Sequence, residues 1–154
     1  MIEEACWDRM ATTFRRGLGT WMAVAVVVAI GCSGGNPYDM VEVAGTVTYE
    51  DGSLIPADSI MVKFSPQALP LDPKTHPRPA IASVDVSDGS FAFATTHKHA
   101  DGIVAGKHKV LVIAYGKNGT GTNVVPKAYE HPATTPVELD AGESPFEIKV
   151  QKPK

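Results

Sequence analysis

The sequence predicts an all-β fold, a seven-stranded antiparallel β-sandwich with Greek-key connections, preceded by a signal peptide. Three observations lead to this prediction. Apolar and polar residues alternate in short segments, turn residues separate these segments at regular spacing, and residues 40–154 contain no amphipathic helical pattern. Alternation gives each strand one apolar face, and a sandwich buries such faces between two sheets.

Residues 1–31 have the features of a secretory signal peptide. Arg15 and Arg16 form a basic region, and residues 21–30 form an apolar run that is shorter than the roughly 20 residues a membrane-spanning helix needs. The residues at 29–32, Ala-Ile-Gly-Cys, resemble the lipobox of bacterial lipoproteins, although Ala29 stands where leucine is usual. This resemblance implies cleavage before Cys32 and attachment of lipid to its thiol.

Two other interpretations of this region stay open. The pair Arg15-Arg16 also resembles a twin-arginine export signal, and Cys32 could be an unmodified buried thiol. Cys6 and Cys32 are the only cysteines, and Cys6 would leave with the signal peptide. A disulfide is therefore not expected, and a metal cluster built from cysteine pairs is excluded.

Residues 32–39 predict a flexible tether, because glycine, asparagine and proline are frequent there. The folded domain is expected at residues 40–154. Its first strand is predicted over residues 41–50, where Val47 and Tyr49 lie on one face and Thr46 and Thr48 on the other. Asp51-Gly52 then predicts a turn.

The remaining strands follow in order. Residues 60–64 predict a second strand, and the four prolines between 69 and 79 predict a stiff exposed loop. Residues 82–86 and 91–95 predict a hairpin around Asp88-Gly89. The segment 107–115 is apolar on both faces, which predicts a central strand. Short strands at 137–139 and 146–150 complete the seven, and Tyr129 is expected to fill an edge of the core.

Three segments resemble carboxypeptidase regulatory-like, transthyretin-like (prealbumin-like) domains. They are residues 43–56 with Gly-Thr-Val-Thr and Asp-Gly, residues 89–91 with Gly-Ser-Phe, and residues 101–110. Ala105 replaces the family's usual proline and His108 its usual tyrosine. The resemblance covers about residues 41–151 and implies an independently folding sandwich that serves as a non-catalytic accessory or adhesion module.

His97, His99 and His108 are weak candidates for a metal site, because two imidazoles lie two residues apart and the third follows in the chain. This suggests an alternative function, a periplasmic protein that binds metal or a small ligand. No catalytic or cofactor motif is found. The transthyretin-like fold also includes hydrolases of 5-hydroxyisourate, but the residues at 150–154 do not match their tail. Such activity would require a pocket in which a histidine faces an arginine or lysine.

The function expected from the sequence is therefore that of a non-catalytic, lipid-anchored protein of the bacterial cell envelope, periplasmic or on the outer surface. Its partners would be the membrane, through Cys32, and an envelope protein or polysaccharide. The proline-rich loop and the sheet edges are the expected contact surfaces. The net charge of −3 includes no basic excess, so a nucleic-acid partner is not expected.

Overall fold

The computed structural model of the protein describes residues 36–153. The predicted signal peptide at 1–31, Cys32 and the beginning of the predicted tether lie outside this range. Within it the protein is all-β, as predicted, with nine strands and three short 3-10 helices. The strands are β1 (Met40–Val41), β2 (Gly45–Tyr49), β3 (Ser59–Pro66), β4 (Ala80–Val84), β5 (Ser90–Phe91), β6 (Ile103–Val104), β7 (Lys107–Tyr115), β8 (Glu138–Asp140) and β9 (Phe146–Val150).

The strands form three sheets. The largest has the order β4-β3-β7-β8, the second the order β5-β2-β9, and β1 pairs with β6 in a two-stranded ribbon. The 3-10 helices are Lys117–Gly119, Lys127–Glu130 and Ala141–Glu143. No helix in the described part of the chain has the length and apolar character needed to cross a membrane.

The predicted alternation is confirmed in the longer strands. In β3 the side chains of Ile60, Val62 and Phe64 are buried while their neighbours are partly exposed. The segment Lys107–Tyr115 forms one strand and lies between β3 and β8, which confirms its predicted central position. Tyr129 is buried, and its hydroxyl accepts a hydrogen bond from the Gln151 N–H at 3.1 Å.

The strand count and the strand direction differ from the sequence prediction. Nine strands are found in residues 36–153 because β1 and β6 add a two-residue ribbon that carries no clear alternation. β2 and β9 are parallel, with Val47 opposite Ile148, so the described strands are not all antiparallel. A parallel pair requires a long crossover between its strands. The whole four-stranded sheet lies between β2 and β9 in the chain and serves as that crossover.

The predicted hairpin at residues 82–95 is irregular. Its two arms pair only at Ile81 with Thr95 and through the bond from the Asp85 N–H to the Ser90 carbonyl. β4 otherwise pairs with β3, whereas β5 pairs with β2 in the other sheet. The turn was predicted correctly, but the chain moves from one sheet to the other there instead of forming one continuous ladder.

One hydrophobic core joins the two larger sheets. The ring of Phe64 in β3 lies 6.0 Å from the ring of Phe91 in β5 and 5.8 Å from that of Phe146 in β9, measured between centroids. All fully buried members of this core lie between Val43 and Val150. Residues 36–153 also belong to one compact unit. This segment therefore contains a complete core, which is the property of a domain that folds independently.

Gly45 makes this packing possible. It is the first residue of β2 and lies opposite both Phe91 and Phe146 in the sheet. A Cβ atom at this position would lie 2.6 Å from the Phe146 carbonyl oxygen and 2.9 Å from the Phe91 ring. Both distances are too short for ordinary contact, so only glycine fits without displacement of backbone or of an aromatic ring.

We predict that Gly45→Ala lowers the free energy of unfolding by about 1–3 kcal/mol, because the added methyl group overpacks the core. Urea unfolding of the segment 34–154 measures the change. Gly121→Ala is the matched control, since a Cβ atom there meets nothing within 4 Å. Equal stability of the two variants would contradict the packing role of Gly45.

Candidate functional site

His108 is a core residue rather than a surface ligand. It is the second residue of β7, and only 1% of its surface is exposed. Its Nε2 atom lies 2.6 Å from the Val104 carbonyl oxygen and must donate to it, so the neutral ring carries its proton on Nε2. Its Nδ1 atom is buried and has no hydrogen-bond partner among the described residues.

Burial also determines the charge of His108. The ring stands edge-on to Phe64 at 6.2 Å between centroids, and the residue is almost completely shielded from solvent. Loss of solvation lowers the pKa of His108, and this outweighs the hydrogen bond to Val104 and the carboxylate of Asp140, both of which raise it. Because a positive charge is disfavoured here, the folded protein holds the imidazole in its neutral form.

His97 and His99 lie in a different environment, the exposed turn that follows residue 95. Three backbone N–H groups, those of Thr96, His97 and Lys98, donate to the carboxylate of Asp101 and hold the turn. The His99 ring packs against Phe93 at 4.7 Å between centroids. The Nδ1 atom of His97 instead accepts a hydrogen bond from the Arg78 guanidinium at 3.3 Å.

The three candidate histidines therefore have three different sets of neighbours: the core, the Phe93 ring and the Arg78 guanidinium. In residues 36–153, no group of three or more histidine, cysteine, aspartate or glutamate side chains is placed to hold a metal ion. Spacing along the chain could not show this, because a turn and a strand start that are close in sequence can point their side chains in opposite directions.

The proline-rich loop, residues 69–79, is exposed but held in place. The Asp72 carboxylate accepts hydrogen bonds from the backbone N–H groups of Lys74 and Thr75, at 2.7 and 3.0 Å. The Leu71 N–H donates to the Thr75 carbonyl oxygen at 3.0 Å. These bonds close a tight turn in the middle of the loop. The Thr75 side chain and the N–H groups of Lys74 and Thr75 lower the pKa of Asp72, because their hydrogen bonds favour the charged carboxylate.

Tyr38 fastens this loop to the start of the domain. Its hydroxyl donates to the Thr75 carbonyl oxygen at 2.9 Å and accepts from the Leu71 N–H at 3.2 Å. Tyr38 belongs to the segment predicted as a flexible tether. In the structure, residues 36–39 contact the rest of the domain, and the Asp39 carbonyl oxygen accepts from the Ala105 N–H at 2.9 Å. The end of the tether is thus attached to the proline-rich loop.

A basic groove of about 190 Å³ lies between the proline-rich loop and the His97 turn. Four basic side chains line it, and Asn36 and Pro37 line its other side. The four are Lys74, His76, Arg78 and His97. No sequence pattern predicts this groove, because its lining comes from three separate parts of the chain. A groove with this lining can bind anions.

A second, more open recess lies beside Gly45 and has a volume of about 440 Å³. Its lining is mainly apolar, with Phe91, Pro145 and Phe146 at its base and Glu147 as its single ionisable side chain. Ser90 and Thr46 also line it, but no histidine or lysine is among the lining residues to activate their hydroxyls.

Comparison with known proteins gives no relative: no protein-family model, no curated protein and no solved structure matches this chain.

We predict that His108 makes stability depend on pH. The unfolded chain takes up a proton on this residue near pH 6.5, whereas the folded protein resists protonation. Stability from this residue is therefore complete above pH 6.5 and decreases as the pH falls toward the lower pKa of the folded state. His108→Gln, which keeps a donor for Val104 but does not titrate, should weaken this dependence.

The measurement is the free energy of urea unfolding at about pH 7.5 and about pH 5 for wild type and variant. His131→Gln is the control, because His131 is exposed. A wild-type pH dependence that persists unchanged in His108→Gln would show that other groups cause it.

We predict that Tyr38→Phe loosens the proline-rich loop while the core stays folded. Loss of the hydroxyl removes its hydrogen bonds to the Leu69 and Thr75 carbonyl oxygens and to the Leu71 N–H, which corresponds to about 1 kcal/mol per bond of local stability. Limited trypsin digestion should then cut faster after Lys74. Tyr115→Phe is the control, since the Tyr115 hydroxyl has no hydrogen-bond partner among the described residues. Equal cutting rates in both variants would contradict the attachment.

Proposed function

We propose that this chain is a lipid-anchored, non-catalytic protein of the bacterial cell envelope, with a transthyretin-like, carboxypeptidase regulatory-like domain that serves as a binding or structural module. The observation that carries the proposal is the lipobox-like sequence at 29–32 after an apolar segment, followed directly by one independently folding β domain. Export and anchoring explain the first 32 residues, and the domain provides the exposed module.

The arrangement of the sheets supports the transthyretin-like part of the proposal. Without the short β1–β6 ribbon, seven strands remain, in one sheet of four and one of three. The final strand β9 lies beside β2, as the fourth strand of a Greek key lies beside the first, although this pair is parallel and that of a Greek key is antiparallel. Two glycines of the motifs that resemble the family also occupy positions that favour glycine. Gly45 opens β2, and Gly89 has a φ of 78°, which favours glycine, in the turn before β5.

The chemistry of the two recesses favours binding over catalysis. The basic groove meets the requirement that a hydrolase would have, a histidine facing an arginine, since Arg78 donates to His97. However, this bond occupies the Nδ1 lone pair of His97 that a general base would use. No carboxylate is among the residues that line the groove. An open groove lined by cationic groups is better suited to holding an anion than to activating water.

We predict that Cys32→Ala abolishes lipid attachment, because the acyl and glyceryl groups require the thiol of this residue. The measurement is incorporation of a labelled fatty acid into the full chain expressed in a bacterium. Cys6→Ala is the matched control and should retain wild-type labelling. Equal labelling of the Cys32→Ala variant would disprove the anchor and leave the fold unaffected.

A further inference from the structure

We propose that the proline-rich loop and the basic groove beside it form a membrane-docking surface, which places Leu69 and Leu71 in the bilayer interface and binds anionic phospholipid headgroups. We name it the docking face and define it by Leu69, Leu71, Lys74 and Arg78. The inference rests on the proposed function, because it assumes that a lipid anchor at Cys32 holds the domain at a membrane.

The first observation is the exposure of two leucines on one short loop. The Leu69 side chain is 83% exposed and that of Leu71 is 60% exposed, more than any other large hydrophobic residue in residues 36–153. They flank Pro70 at the beginning of the loop. Exposed apolar residues next to cationic ones are typical of segments that insert into the membrane interface.

The second observation is that the loop presents these leucines in a fixed conformation. The Asp72 carboxylate and the Tyr38 hydroxyl hold the turn that follows Leu71. A loop that is already ordered loses little conformational freedom when it binds a surface. The bonds of this turn thus favour docking, although no apolar core stabilises the loop from below.

The third observation is the charge of the groove. The whole chain has a net charge of −3, yet Lys74 and Arg78 lie together here with His76 and His97. Two carboxylates lie nearby, Asp72 and Asp101, and both accept hydrogen bonds from backbone N–H groups of their own turns. A lysine ammonium and an arginine guanidinium are the usual ligands of phosphate groups, and anionic lipids attract such clusters.

The fourth observation identifies the occupant as the membrane that carries the anchor. Asn36 lines the groove, and Cys32 is only four residues earlier in the chain. Four residues span at most about 14 Å when fully extended. Tyr38 directs this end of the tether to the proline-rich loop. A lipid on Cys32 would therefore hold the bilayer surface within reach of the docking face, whereas a soluble polyanion has no such constraint.

The chain offers a clean test, because residues 32–154 contain no tryptophan and only one cysteine, Cys32. We would couple this segment through Cys32 to a maleimide phospholipid in vesicles, which supplies the anchor chemically. Leu71→Trp then reports on the docking face, and Leu54→Trp, at a position that is 41% exposed on another loop, is the control. Brominated phosphatidylcholine in the vesicles quenches a tryptophan that enters the bilayer.

In vesicles that also contain phosphatidylglycerol, we expect the Leu71→Trp fluorescence to shift to shorter wavelength and to be quenched roughly twofold more than that of Leu54→Trp, because tryptophan partitions into the interface. Adding Lys74→Glu and Arg78→Glu, or replacing the anionic lipid by phosphatidylcholine, should reduce this difference. High salt should also reduce it. Lys117→Glu with Lys127→Glu changes the charge equally on exposed lysines elsewhere and should have no effect.

Three results would overturn the inference. Equal quenching at positions 54 and 71 would show that the domain has no preferred face. Quenching at position 71 that does not change with the anionic lipid or with the Lys74/Arg78 substitutions would contradict a role of the groove in docking. Binding of dextran sulfate that depends on Lys74 and Arg78, without quenching by vesicles, would assign the groove to a soluble polyanion. Far-UV circular dichroism checks that each variant is folded.

Chemical coupling makes this test independent of lipid attachment in the cell. If Cys32→Ala leaves fatty-acid labelling unchanged in a bacterium but Leu71→Trp is quenched on coupled vesicles, the anchor assignment fails while the docking face stands. The opposite pattern, labelling lost and no quenching, would leave the anchor intact and refute the docking face.

Discussion

The contact between the two larger sheets depends on Phe64. This side chain is fully buried at the middle of β3, and its ring meets Phe91, Phe146 and His108 within about 6 Å. Each of these partners comes from a different strand, β5, β9 or β7. One aromatic ring therefore connects the four-stranded sheet to both outer strands of the three-stranded sheet, and it contributes the large buried area that such rings bring to a core.

The same packing explains two residues that would otherwise look functional. Position 45 requires glycine because the Phe91 ring and the carbonyl oxygen and Cβ of Phe146, on the two neighbouring strands, leave no room for a Cβ atom. His108 fills the space beside Phe64, where the resemblance expects tyrosine, and uses its Nε2 proton to satisfy the Val104 carbonyl. The nitrogen atoms of its ring are buried in the core. The neutral form of His108 therefore matters for stability, and the residue is far less suited to binding a metal.

The surface is organised on a different principle. Hydrogen bonds rather than apolar contacts shape the proline-rich loop and the His97 turn, with Asp72 and Asp101 each gathering backbone N–H groups. Such turns hold their backbone geometry through the carboxylate of one residue of the turn. Tyr38 extends this network to the segment that follows Cys32. Residues 36–39, the proline-rich loop and the basic groove are thereby linked through a few polar contacts.

The sequence by itself determined the class of fold and most strand positions, because alternation specifies which side chains of a strand are buried. It predicted the full extent of Lys107–Tyr115 and of Phe146–Val150, and the turn at Asp88-Gly89. The sequence could not assign pairing partners to β5 and β9, because the alternation of apolar and polar residues within a strand does not specify which strand is its neighbour in the sheet. Only the tertiary structure decided that both pair with β2, that His108 is buried, and that Asn36, Lys74, Arg78 and His97 line one groove. These features depend on contacts between distant parts of the chain, which form when the core closes around Phe64.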